Sequence, residues 1–141
     1  MTRAEIVALV DRCLDALARR DTAAVAAEHA ESCVMESPTA GGSVTGRAAV
    51  ASVYQIWLEG FPNLAITRET LIVEADRFAQ HFTLSGTDMG GFLGLAPTGR
   101  TFRVPVVWLG RVSGGQIVHS QPVYDFSGVL IQIGVLKAKP A

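Results

Sequence analysis

Charge is sparse in this sequence. Only 18% of its 141 residues are Asp, Glu, Lys or Arg, and the formal net charge is −1. The arginines are scattered, so no basic face is laid down for a nucleic-acid backbone. Cysteine is nearly absent as well. Cys13 and Cys33 form no CxxC pair, and a chain of this length folds without a disulfide, which leaves both as buried thiols. No apolar run approaches the roughly 20 residues that span a bilayer. The N-terminal segment reads as an amphipathic helix and not as a signal peptide, so a cytoplasmic protein without a membrane partner is expected.

Strong chemical motifs are also missing. There is no HExxH, no GxSxG and no glycine loop opening a helix after a strand. The glycine-rich stretch 86–99 lies between two strands, so it lacks the helix N-terminus that stabilises a phosphate. His29, His81 and His119 are far apart without a carboxylate at ligand spacing, which argues against a metal site.

What the chain has in quantity is apolar surface. Hydrophobic residues make up 49% of it, enough burial to offset the ordering entropy of one domain over 1–141. Thr2 and Glu5 stand in capping-box spacing ahead of Ile6, Leu9, Val10, Cys13, Leu14 and Leu17, which predicts a helix over 3–19 with one buried stripe. Asp21 caps a short alanine-rich helix to about residue 30. An extended piece follows at 33–37. Ser37-Pro38-Thr39-Ala40-Gly41-Gly42 is then a loop, because it is built of turn formers. Val50, Val53, Tyr54, Trp57 and Leu58 set a core-facing helix over 47–59, ended by Gly60-Phe61-Pro62.

From residue 65 onward, β-branched and aromatic residues alternate over 65–74, 77–87, 100–112 and 116–125, the pattern of long antiparallel strands. Gly114-Gly115 supplies the positive φ of a two-residue hairpin turn. Helices first and strands afterwards predict an α+β fold, a curved, mainly antiparallel sheet wrapped around the N-terminal helices. With Ser113 facing Gln116, outward counting sets Gly110 opposite His119, Trp108 opposite Gln121 and Val104 opposite Asp125. One face then gathers Trp108, His119, Gln121 and Asp125. His119 and Asp125 lie six residues apart, about 20 Å along a regular strand, too far for a hydrogen-bonded dyad. Pro105 and Pro122 mark places for an edge or a bulge, and one bulge inverts part of that face.

Several stretches taken in order carry a resemblance. Ser37-Pro38-Thr39, Thr45-Gly46-Arg47, Phe61-Pro62-Asn63-Leu64, the run from Gly86-Thr87-Asp88-Met89-Gly90-Gly91 to Arg100, and Gly115-Gln116-Ile117-Val118 before Tyr124-Asp125-Phe126 resemble the SnoaL-like polyketide cyclases of the NTF2-like superfamily. The resemblance covers nearly the whole chain. It implies a conical α+β barrel with a pocket between sheet and helices, no cofactor, a polyketide-like small-molecule substrate and a homo-oligomer. It also implies an acid/base role for Asp125. Where many relatives read Gly-Thr-His-Thr-Gly-Glu, this chain has Gly86-Thr87-Asp88-Met89-Gly90-Gly91. Where others read Glu-His-Trp it has His119-Ser120-Gln121, and Trp108 replaces a frequent polar residue. Polar pocket groups are thus exchanged for apolar or small ones.

Three functions follow from that frame. The first is an aldol-type cyclase in which Asp125 removes an acidic proton while His119 or Gln121 polarises an oxygen. The second is a pericyclic, Diels-Alder-type closure promoted by folding the substrate in an apolar pocket. The third is a non-catalytic binding module. Trp108, Trp57 and Tyr54 are core residues by spacing and substrate-binding candidates by type. Glu36 is either a pocket group or an exposed strand end, and Asp125 is either a base or a helix cap. Phe102, Val104, Val106, Val107, Leu109, Val118 and Val123 cannot all face one small pocket, so a partner chain is expected on the outer face.

Overall fold

The computed structural model describes residues 1–137. Helix α1 (Arg3–Ala18) starts on the Thr2/Glu5 capping box and buries Ile6, Leu9, Val10, Cys13, Leu14 and Leu17 as its spacing dictates. Helix α2 (Thr22–Ala27), capped by Asp21, is shorter than its alanine content suggests. The chain turns into strand β1 (His29–Ser37) directly after Glu28. Strand β2 (Gly42–Thr45) folds back on β1 across a single helical turn at Pro38–Ala40, so part of the expected loop is sheet. Helix α3 (Arg47–Gly60) presents Val50, Val53, Trp57 and Leu58 to the interior.

Strands β3 (Ala65–Glu74), β4 (Arg77–Thr87), β5 (Thr101–Ser113) and β6 (Gln116–Tyr124) complete a curved six-stranded sheet in the order β2-β1-β6-β5-β4-β3. Every neighbouring pair is antiparallel except β1 and β6, which run parallel. That pairing joins the helical half of the chain to the strand half. Strand β5 alternates strictly along its length, with Phe102, Val104, Val106 and Trp108 facing the helices and Val107 and Leu109 facing outward. The helices cover the concave side. Helix α4 (Phe126–Gln132) closes the molecule, burying Val129. The expected α+β cone is the fold observed.

The hairpin register departs from regular counting at one place. Ser113 pairs with Gln116 and Val112 with Ile117, but Arg111 then pairs with His119, so Val118 is an extra residue in β6. Gly110 therefore faces Ser120, Leu109 faces Gln121 and Trp108 faces Pro122, each one residue from the regular expectation. A regular strand would turn His119 and Gln121 inward along with Ile117. The bulge lets Ile117 and Ser120 both be buried while His119 and Gln121 turn outward, avoiding the cost of polar groups in an apolar core.

Candidate functional site

Between the helices and the concave face lies a cavity of about 60 Å³, with Tyr54 and Trp57 of α3, Phe82 of β4, Val106 of β5 and Tyr124 of β6 in its wall. Helical spacing places Tyr54 and Trp57 one turn apart on the inner side of α3. Trp57 is held by an aromatic cluster, its ring centroid 4.7 Å from Phe92 and 5.6 Å from Tyr124. Its indole N–H donates to the Thr39 hydroxyl at 3.2 Å, and the Ser37 and Thr39 hydroxyls lie 3.0 Å apart. A small polar rim thus borders an apolar space.

The Tyr124 hydroxyl is buried at this rim without a hydrogen-bond partner among the described residues. Burial raises its pKa, and the nearby hydroxyls of Ser37 and Thr39 draw it part of the way back, although neither stands in bonding geometry with it. Burial also pushes the Tyr54 phenol up, with a nearby cysteine adding to the shift and the Ser120 hydroxyl opposing it. Both phenols are therefore neutral donors at physiological pH. Beyond the rim, β1 and β6 no longer pair. There an open groove of about 400 Å³ shares Ser37, Pro122 and Tyr124 with the cavity and continues over Glu36, Gln121 and Val123.

The site residues expected from sequence are divided among three places. Trp57 and Tyr54 line the cavity. Trp108 is buried on the same inner face but deeper, where its indole N–H donates to Ser120 Oγ at 2.9 Å. His119, Gln121 and Glu36 stand on the outer side of the sheet, where His119 Nε2 lies 2.7 Å from a Glu36 carboxylate oxygen. Gln121 and Glu36 reach the groove, not the cavity.

Asp125 is exposed at the N-cap of α4, where its Oδ1 accepts the Gly128 backbone N–H at 2.9 Å. The shared face expected for Trp108, His119, Gln121 and Asp125 is thus not formed. Regular counting assigned Tyr124 to the opposite side from the site, and Ser37 and Thr39 stood out only as part of a turn. The alternation Ser120, Pro122, Tyr124 could have found Tyr124 once the bulge was known.

Cys13 and Cys33 are free and buried, and burial raises the Cys13 thiol to about 12, which leaves it unreactive at neutral pH. No helix among the described residues is long and apolar enough to cross a membrane.

Helices over one face of a curved sheet, with a small apolar cavity between the two layers, define a cone-shaped α+β protein. Its likeness to known proteins gives that class a family. Residues 7–133 match the SnoaL-like polyketide cyclases, and the chain belongs to that family. Among solved structures it is similar to AclR from Streptomyces galilaeus, a proposed hydroxylase, with a TM-score of 0.83 and 26% identity over 99% of this chain and 91% of that one. It is also similar to IdmH from Streptomyces antibioticus, a proposed polyketide cyclase, with a TM-score of 0.76 and 25% identity over 92% of this chain and 98% of the other. A Catenulispora acidiphila protein with a ketosteroid isomerase-like fold shares that fold, with a TM-score of 0.77 and 21% identity over 94% and 97% of the two chains. No curated protein matches the chain.

Proposed function

We propose that the protein is a cyclase that closes a ring in a polyketide-type intermediate by holding the reacting end of the chain folded in the apolar cavity. The observation that supports this reading is the cavity wall, which Tyr54, Trp57, Phe82 and Val106 make almost wholly apolar or aromatic. At about 60 Å³ the space takes four to six water-sized groups at roughly 10–15 Å³ each, about one six-membered ring. The groove beyond Ser37 and Tyr124 takes the remainder of the substrate. Confining two reacting carbons in one geometry removes much of the entropic part of the barrier.

An acid/base closure with Asp125 is the second reading. It is favoured by the family position of this aspartate and by its place directly after Tyr124, with only one carboxylate oxygen engaged. Turnover of linear polyketide intermediates separates the readings. Val106→Leu pushes a methylene into the cavity and is expected to lower kcat/KM more than tenfold with the fold intact. Asp125→Asn is expected to lower it less than threefold, with little change in the pH dependence of the rate. The reverse ranking would transfer the chemistry to Asp125, and binding without conversion would leave a binding module.

A further inference from the structure

A buried hydroxyl without a partner is a cost that native structures rarely carry without use. The Tyr124 hydroxyl is such a group, and leaving it unsatisfied destabilises the free protein. The Ser37 and Thr39 hydroxyls, which lie close to the Tyr124 hydroxyl without bonding it, pair with each other at 3.0 Å, and Thr39 also accepts from the Trp57 indole at 3.2 Å. Tyr124 has little freedom to turn toward another partner, because its ring is packed edge-on against Trp57 at 5.6 Å and beside Phe126 at 6.2 Å. The donor is thus fixed at the border between the apolar cavity and the open groove, since Tyr124 lines both.

We propose that the Tyr124 hydroxyl is a specificity-determining donor that hydrogen-bonds a carbonyl or enol oxygen of the ligand as its ring-forming end enters the cavity. This rests on the cyclase reading and deepens it by naming the chemistry that the cavity selects, an oxygen at the cavity mouth with carbon beyond it. A site holding a preplaced buried donor favours the ligand that carries the oxygen and rejects the isostere that lacks it, because the donor stays unpaired in the second case. In the cyclisation, the same bond would draw charge toward the oxygen and acidify the carbon next to it. The proton remains on the phenol, so this step needs no co-reactant. Tyr124 therefore positions and polarises, whichever group removes a proton.

The test uses two probes of one shape, acetophenone and α-methylstyrene, in which a carbonyl oxygen replaces a methylene. Each is titrated by NMR into the full chain and into Tyr124→Phe. The ratio of the two dissociation constants is expected to move about fivefold toward the hydrocarbon in the variant, the size of one neutral hydrogen bond. The free variant is expected to melt at or above the temperature of the parent, since it loses no bond. An unchanged ratio with both probes bound would overturn the role of Tyr124 and leave the cavity as a ligand site. A melting point several degrees lower in the variant would also overturn it, by showing that the hydroxyl is already paired in the free protein. Failure of both probes to bind either protein would instead sink the cavity reading itself, and this proposal with it.

Discussion

The indole N–H of Trp108 donates to the Ser120 hydroxyl at 2.9 Å across the β5–β6 pair, and the extra residue Val118 is what brings the two onto the same side of the sheet. Both groups are buried, so the bond satisfies a donor that water cannot reach. Ser120→Ala is expected to lower unfolding stability by about 1–3 kcal/mol, because the indole N–H is left buried and unpaired. Combining it with Trp108→Phe should cost less than the sum of the two single changes, which urea denaturation of the four proteins would reveal. Strict additivity would mean that the bond contributes nothing.

Asp125 separates capping from chemistry. Its carboxylate accepts the Gly128 N–H at 2.9 Å, a role asparagine fills as well and alanine cannot. Asp125→Ala is therefore expected to cost about 1 kcal/mol, and Asp125→Asn only a few tenths. Equal losses in both variants, measured by thermal unfolding, would show that charge and not the cap hydrogen bond matters there.

His29 ties stability to pH. Its ring is fully buried, with Nδ1 donating to the Val25 carbonyl at 2.9 Å, and burial holds its pKa below the ordinary value. The unfolded chain takes up a proton near pH ~6.5, where the folded histidine does not. Stability contributed by the neutral ring is therefore complete above that pH and is lost as pH falls from the unfolded value toward the folded one. The urea midpoint of the parent is expected to drop as the pH falls below about 6.5, the value of the unfolded histidine. His29→Gln should show a smaller drop, and an equal one would assign the effect to the carboxylates.

On the outer face, Val107 and Leu109 of β5 remain 38% and 39% exposed, and Ile72 lies in the same cross-strand row as Leu109. A second copy of the chain packed through a two-fold axis would cover both surfaces with one self-complementary contact. We expect a symmetric dimer in sedimentation and a shift to monomer in Leu109→Glu. A stable species of about 15.0 kDa for the parent at micromolar concentration would rule this out.

Local pattern in the sequence determined the cone's parts. The stripe from Ile6 to Leu17, the apolar face of the third helix, the strict alternation of β5 and the Gly114-Gly115 turn each report which side of an element is apolar, and that is decided within the element itself. Tyr54 and Trp57 were legible as pocket candidates for the same reason. The tertiary structure decided which residues of β6 meet the interior. A strand's period is two, so one extra residue at Val118 exchanges the faces beyond it. Whether that residue is accommodated depends on partners distant in sequence. Ile117 fills the core, Trp108 needs the Ser120 hydroxyl, and Glu36 meets His119 across the parallel β1–β6 pair. The sum of these contacts put Tyr124 at the cavity, moved His119 and Gln121 outside and left Asp125 to cap the last helix. No spacing within β6 contains that information, because it lies in the elements packed against it.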